Sequence, residues 1–396
     1  QKVIVATVGA TLYPLNGDKF KIKKSRIRGE LSQGMICAED EIGIGDSHEG
    51  IIILNDKYKA GEKASKVYNY YEDYIFDIGL TPNRSDAMSH YGVARDLRAA
   101  LMHKKINLEL ISPSVSPFHV NSRTKKINIK LNETHLCPRF TGLCIEDVKV
   151  ETSPDWIQNK LKSIGLSPIN NVVDITNYVL HELGQPLHAY DLDKIKSNRI
   201  EIKTLKNNTT FSTLDGIERK LSESDLMVCD GDIPMCIAGV FGGNDYGINN
   251  NTQTIFLESA YFNPVSIRKT AKSHSINSDA SFRFERGVDI ELVDYALKRA
   301  AILICEICNG KICSDVIDEY TSKIENKSIL LNYEKTNKLI GQIIPPEEIK
   351  SILTSLDFKI NNITETGVGI TVPSYRHDVT RECDVVEEIL RIYGFN

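Results

Sequence analysis

Glu258 is the residue whose position asks most of its surroundings. In the run Ile255 to Phe262 the two-residue period of a strand puts it on the same side as Phe256, Ala260 and Phe262. An ionised carboxylate on such an apolar face is costly unless something hydrogen-bonds to it. Either an internal partner, with Arg268, Arg283 and Arg286 as candidates, or a ligand must satisfy it. The same stretch of chain holds Asp174-Ile175-Thr176-Asn177, His188 behind Gln185-Pro186-Leu187, a Gly239 to Gly243 turn and Ser278-Asp279-Ala280. On its own, His188 reads first as a structural histidine. Gly242-Gly243 reads as a tight turn, or as a place where a ligand can come close to the backbone.

A second group is acidic. Asp384, Glu387 and Glu388 stand at i, i+3 and i+4, which turns three carboxylates toward one side of a helix, and Asp378 arrives from the loop before it. Oxygen ligands at that density suit magnesium, while spacing alone equally describes hydrated acids favoured by a helix N-terminus. A third group, Cys305, Cys308 and Cys313, has no second paired half-site and sits in an apolar helix, so it reads as core rather than as a zinc site. Between Lys19 and Arg28 lie six cations, Lys19, Lys21, Lys23, Lys24, Arg26 and Arg28, interleaved with Phe20, Ile22 and Ile27. They form either a solvated edge strand, with a bulge near Lys23 and Lys24, or a stripe for a phosphate backbone. There is no G-x-S-x-G, Walker A loop, dinucleotide fingerprint or H-E-x-x-H.

The elements that must position these residues form an α+β multidomain chain. Residues 1–57 carry short β-rich runs between Gly-containing turns and read as part of a small OB-type barrel. Residues 58–116 turn helical, with a helix over Arg84 to Leu101 after Thr81-Pro82-Asn83, and end in the linker Ser112 to Pro117. Residues 117–321 mix strands such as Lys126 to Leu131 and Thr254 to Phe262 with helices such as Pro154 to Ile164 and Leu292 to Cys308. They form the large α+β domain that holds Glu258. Residues 322–396 read as a strand, a helix, a second helix started by Pro345-Pro346, two short strands and a final helix.

At 396 residues the chain predicts two to four domains. Hydrophobic residues at 41% and charged residues at 26% exclude disordered, collagen-like and coiled-coil classes. No apolar run approaches the roughly 18 residues of a membrane span. Nine irregularly spaced cysteines argue for reduced thiols and a cytoplasmic setting. A net charge of −5 excludes a uniformly basic binder but leaves room for a local basic patch. Beginning at Gln1 and stopping at Asn396 straight after a helical pattern, the chain reads as a piece of something longer.

Four strings carry a resemblance: Asn170 to Tyr178, Leu183 to Asp191, Ala238 to Gly243, and Arg283-Phe284-Glu285-Arg286-Gly287-Val288-Asp289. Together they resemble bacterial phenylalanyl-tRNA synthetase beta subunits. Lys21 through Cys37 is similar to the family's tRNA-binding OB domain, Thr81-Pro82-Asn83-Arg84 to its connector, residues 117–321 to its editing domain, and the last block to a small winged-helix-like domain. The family's first OB strands, its catalytic-like core and its anticodon-binding domain have no counterpart here.

The resemblance implies ATP-dependent charging of tRNA(Phe) within an α2β2 heterotetramer, with ATP bound on the alpha subunit, and hydrolysis of mischarged tyrosyl-tRNA(Phe) by the beta subunit. Editing answers a physical problem, because a pocket shaped for phenylalanine cannot strongly reject a ligand that merely adds a hydroxyl. By the same resemblance Glu258 accepts the tyrosine hydroxyl. His188, Thr176 and Asn177 line the ester end, and Gly242 and Ala280 leave room for the ligand. Ser278 stands where the family more often has Thr. No residue is an obvious strong base, so oriented water and the ribose hydroxyls carry the hydrolysis. Lys23, Lys24, Arg26 and Arg28 contact tRNA. The resemblance also places Asp378, Asp384, Glu387 and Glu388 on a magnesium site shared with the alpha subunit. Two other readings stay open: a free-standing factor that edits in trans, and a nucleic-acid-binding module without catalysis.

Overall fold

The structure, a computed structural model, describes every residue except Leu15, Asn16, Asp46, Asn69, Tyr70, Ser322 and Asn396. The start of the last domain, read at residue 322, therefore lies outside the described residues. Two compact units are present, Gln1–Tyr74 and Ile75–Asn396.

In the first unit, eight short strands make two-residue to three-residue ladders: β1 (Lys2–Val3), β2 (Val5–Thr7), β3 (Thr11–Leu12), β4 (Phe20–Lys21), β5 (Ser25–Ile27), β6 (Glu30–Ser32), β7 (Gly34–Ile36) and β8 (Ile53–Leu54). They pair β1 with β8, β2 with β7, β3 with β4 and β5 with β6, around a small core of Ile4, Ala6, Leu12, Ile22, Cys37 and Ile52. Among the described residues these four two-stranded ladders do not close into a barrel, and the partial OB-type barrel expected from the sequence is seen only as short β-pairs. The cationic run is likewise two strands rather than one bulged strand. It breaks after Lys21, and Ile27, expected to face inward, is 58% exposed.

The second unit opens without regular strands or long helices until α1 (His90–His103). The helical region expected from Tyr58 onward thus shrinks to one helix, with Ser89 accepting from the Gly92 amide as its N-cap. Then follow β9 (Asn128–Leu131), β10 (Arg139–Glu146), α2 (Asp155–Ser163), α3 (Asn171–Leu183), β11 (Leu187–Asp191), β12 (Arg199–Thr204), β13 (Thr210–Ser212), β14 (Glu218–Lys220), β15 (Leu226–Asp230), β16 (Ile233–Ile237), β17 (Phe241–Gly242), β18 (Ile255–Tyr261), α4 (Pro264–Ser273), α5 (Asp279–Phe284), α6 (Val293–Cys308), β19 (Lys311–Ile312) and β20 (Ile317–Tyr320). One sheet runs β11-β18-β10-β19, with β20 also on β10, and a second runs β17-β16-β15-β12-β9.

Strand alternation gives the first sheet two apolar faces. Phe140, Cys144, Tyr190, Phe256 and Ala260 point toward Ile200, Ile202, Met227 and Ile237 of the second sheet, which makes a sandwich core. Leu143, Ile145, Ala189, Ile255 and Leu257 point the other way, onto α2, α3 and α6 through Ile157, Ile175, Val179, Ala300 and Ile304. A sheet buried on both faces reads as a continuous apolar run, and all seven residues of β18 are buried.

The last segment folds as β21 (Ser328–Asn332), α7 (Tyr333–Ile340), α8 (Pro346–Ser355), β22 (Lys359–Ile363), β23 (Gly367–Thr371) and α9 (Glu382–Tyr393). Its sheet has the order β21-β23-β22, and its core takes in Ala99 from α1. All nine cysteines are free thiols. Cys305, Cys308 and Cys313 pack into the core as expected.

Candidate functional site

Glu258 sits in the middle of the first sheet. Its backbone pairs with Gly142 of β10 on one side and with His188 of β11 on the other. Directly paired residues share a face, so His188 and Glu258 both project into the space between the sheets. Gly142 contributes no side chain there, and the Phe256 ring lies over it: a Cβ at Gly142 would stand 2.7 Å from Phe256 Cε2 and closer still to Cζ.

The expected arginine partners do not reach the carboxylate. Arg268 is exposed, Arg286 pairs with Glu285, and Arg283 donates to the Met88 carbonyl, to Asp279 and to His181. Glu258 instead accepts one hydrogen bond, at 2.7 Å, from the hydroxyl of Tyr190. Burial pushes its carboxyl up to about 7, against the pull of that bond.

His188 stands edge-on to Tyr190, with ring centroids 4.5 Å apart. Burial lowers its pKa to about 4, so the imidazole is neutral near pH 7. Gly242 lies against it: a Cβ there would come 3.1 Å from His188 Cε1 and 2.8 Å from Leu214 Cδ1. The absence of a side chain at residue 242 is what lets the β13–β14 hairpin tip, the imidazole and the backbone meet.

Ser278 and Ala280 arrive from α5. The Ser278 hydroxyl accepts from the Ser281 amide as N-cap and donates to the Val240 carbonyl at 2.7 Å, two residues before Gly242. Ala280 packs on the sandwich core. Thr176 and Asn177 are carried by α3, which covers the opposite face of the sheet through Val172, Ile175 and Val179. Thr176 is buried and donates within its own helix to Val173, and Asn177 is half-buried. One turn beyond Asn177, His181 meets Arg283 of α5 at 3.2 Å, which ties the two helices together. The structure thus brings His188, Gly242 and Glu258 into one place and sets Ser278 and Ala280 beside it. Thr176 and Asn177 stay on the helical layer.

Tyr190 and Leu214 were absent from the sequence reading. Tyr190 had a signal, since it follows His188 by two residues on a strand. Leu214 had none, because its place depends on a hairpin folding back over Gly242. Two clefts, of about 460 Å³ beside Glu133, Asn263 and Lys269 and of about 630 Å³ beside Arg98, Met102 and Lys350, are lined by none of these residues.

A B3/4 domain model matches residues 136–309, and a tRNA synthetase B5 domain model matches residues 329–395. The phenylalanine–tRNA ligase beta subunit of Bacteroides fragilis is 52% identical over 397 residues, which cover 100% of this chain and 48% of that protein. Those of Porphyromonas gingivalis and Fusobacterium nucleatum are 50% and 42% identical, with the same coverage. The chain belongs to the phenylalanine–tRNA ligase beta subunit family. It spans about half the length of the curated relatives it matches. A crystal structure of an N-terminal fragment of the Pyrococcus horikoshii phenylalanyl-tRNA synthetase beta subunit is 18% identical, covering 79% of this chain and 85% of that one at a TM-score of 0.39, too distant to bear on the site.

In this beta-subunit chain the B3/4 match contains every residue from Thr176 to Ala280, and the B5 match contains the four carboxylates. Three of those carboxylates make ion pairs within the chain. Arg376, itself 4% exposed, grips Asp378 with two bonds of 2.9 Å and also donates to Glu388, which Arg391 bonds as well. Asn83 donates to Asp378, and Arg391 and Arg84 both reach Asp96 of α1. Asp384 pairs with Arg381 and accepts from the Thr380 and Arg381 amides. Glu387 is exposed. Burial pushes the Glu388 carboxyl up, but Arg376 and Arg391 outweigh it and hold it at about 2. Among the described residues no cluster of three or more His, Cys, Asp or Glu side chains is placed to hold a metal ion. Within this chain Asp378, Asp384 and Glu388 are each paired with an arginine, and the magnesium site expected of the four carboxylates is one shared with an alpha subunit.

Lys23, Lys24, Arg26 and Arg28 are all exposed, and among the described residues none has an ion-pair partner. They lie outside both domain matches. Among the described residues no helix is long and apolar enough to cross a membrane.

Proposed function

We propose that this chain is the editing part of a bacterial phenylalanyl-tRNA synthetase beta subunit, working in the cytoplasm with an alpha subunit in an α2β2 heterotetramer. The alpha subunit carries ATP and the charging of tRNA(Phe). The beta subunit hydrolyses tyrosyl-tRNA(Phe). The observation that carries this reading is Glu258, a carboxylate buried between two sheets without any cation, beside a neutral imidazole and a glycine.

A carboxylate with a free lone pair accepts the phenolic hydroxyl of tyrosine, and phenylalanine leaves it unpaired, so the site reads the one atom by which the two ligands differ. A charge-assisted bond of this kind is worth about 1.5 to 3 kcal/mol, or roughly ten- to a hundredfold in discrimination. His188, neutral near pH 7, orients the ester or the attacking water instead of acting as a strong base. Gly242 leaves room beside it. Ser278 and Ala280 border the space from α5. Thr176 and Asn177, held on the helical layer by α3, keep the ester-end role only as the family resemblance implies it. The N-terminal unit is read as OB-type and tRNA-contacting through Lys23, Lys24, Arg26 and Arg28, and the last segment as winged-helix-like.

Two measurements test the reading. Copurification with an alpha subunit separates a synthetase subunit from a free-standing factor. Deacylation of tyrosyl-tRNA(Phe) by the assembled enzyme separates editing from mere tRNA binding. Absence of deacylation removes the reading.

A further inference from the structure

We propose that Tyr190 is a positioning residue of this site: its hydroxyl holds one oxygen of Glu258 and so presents the other to the phenolic hydroxyl of a bound aminoacyl ester. The inference rests on the editing reading and deepens it by naming what aims the specificity carboxylate.

The geometry is asymmetric. Tyr190 donates to Oε2 at 2.7 Å, and among the described residues Oε1 has no partner. Oε1 is nevertheless not fully shut away: the buried side-chain polar atoms without a partner belong to Arg95, Arg98, His181, Gln185, Tyr333 and Thr336, and none to Glu258. The 5% of Glu258 that remains exposed therefore includes the free oxygen. One oxygen is tied to the protein and the other is left without a protein partner among the described residues.

Tyr190 is built to hold its place. It is fully buried, its backbone pairs with Phe256 beside Glu258, and its ring is set edge-on to His188 and 6.4 Å from Phe256. Among the described residues no other donor bonds the carboxylate. Across β10 the facing residue is Gly142. The other titratable groups near Glu258 are His188 on β11, Cys236 on β16 and Cys137 ahead of β10. Burial pushes both thiols up, so they stay neutral, and none of the three makes a hydrogen bond to Glu258.

Loss of the Tyr190 hydroxyl has two effects. The carboxylate is free to turn away from the ligand, and its charged form loses the bond that favours it, so it ionises at higher pH. Tyr190→Phe keeps the ring and its packing, and removes only the donor.

The test measures kcat/KM for deacylation of tyrosyl- and phenylalanyl-tRNA(Phe) by the full-length subunit assembled with its alpha partner, from pH 6 to 9. In the parent enzyme the preference for tyrosyl ester rises with pH as Glu258 ionises, with a midpoint near 7. In Tyr190→Phe the midpoint moves up by about one pH unit and the preference at pH 7 falls about fivefold, recovering toward pH 9. A double-mutant cycle adds a second reading: in the Glu258→Gln background, adding Tyr190→Phe changes the preference no further. An unchanged midpoint with parent-like preference overturns the role of Tyr190 while the editing reading stands. So does a rise in tyrosyl turnover, which would make Tyr190 a plug. A parent enzyme with no tyrosyl-tRNA deacylation overturns both.

Discussion

Replacing Glu258 by glutamine keeps its shape, removes its charge and asks how much this fold spends on an ionised carboxylate between two sheets. In the folded chain the carboxyl titrates near 7, while its ordinary value is 4.5. Between those two pH values the folded state holds a proton that the unfolded chain has released, so this group makes folding less favourable as pH rises from 4.5 to 7. A gap of about 2.5 pH units corresponds to roughly 3 kcal/mol, most of it lost by pH 7. His188 and His181 run the other way. Each titrates near 4 in the fold against an ordinary 6.5, so the unfolded chain holds the extra proton and stability rises with pH across that range. The parent curve therefore mixes opposing slopes, and the difference between Glu258→Gln and the parent isolates the carboxylate. The variant is close to the parent at pH 4.5 and more stable by an amount approaching 3 kcal/mol at pH 8. Trp156, the only tryptophan, stands edge-on to Tyr178 of α3 at 5.3 Å, so its fluorescence during urea unfolding reports the domain that holds the site. Stability curves of variant and parent that stay parallel from pH 4.5 to 8 would refute the argument, because Glu258 would then titrate alike in both states.

Gly142→Ala forces a methyl into the Phe256 ring, which is fully buried and has no free side on which to move, so Trp156-monitored unfolding should show a loss of about 1–3 kcal/mol. Charge reversal at Lys23, Lys24, Arg26 and Arg28 should weaken tRNA binding by the assembled enzyme and flatten its dependence on salt by about one unit of log–log slope for each phosphate no longer neutralised; an affinity and slope both unchanged would leave only a solvated strand. Magnesium or a chelator should leave the thermal unfolding of residues 329–395, followed by hydrogen exchange, unmoved. Arg376→Ala should cost about 3–5 kcal/mol by stranding Glu388 and Asp378. A magnesium-dependent rise in protection would place the metal site within this chain alone.

Patterns contained in one element were legible in the sequence. The alternation over Ile255 to Phe262 located Glu258 on a buried face, and the apolar spacing before Cys308 located α6, because each depends only on local period. What failed needed partners. The ion pairs of the C-terminal carboxylates do not follow from their helical spacing, although Arg376 lies two residues before Asp378 and Arg391 three after Glu388. The wider network, through Asp96 and Arg84 nearly 300 residues earlier, leaves no local trace. The arginine partners considered for Glu258 are ruled out for the opposite reason: nearness in sequence points to Arg268 on α4, Arg283 on α5 and Arg286 just after it, while the partner, Tyr190, comes from the neighbouring strand. At the N-terminus, short strands separated by glycines fixed β structure but not closure, since closure depends on which strands pair.

The central claim is that Glu258 distinguishes a phenol from a phenyl ring, and the most direct test compares deacylation of tyrosyl- and phenylalanyl-tRNA(Phe) by the assembled enzyme with Glu258, Glu258→Ala and His188→Ala. Glu258→Ala should lose tyrosyl preference by roughly ten- to a hundredfold while phenylalanine charging survives. His188→Ala should slow hydrolysis of both esters and keep the preference. Full tyrosyl selectivity in Glu258→Ala would contradict the account and leave the carboxylate as a structural partner of Tyr190.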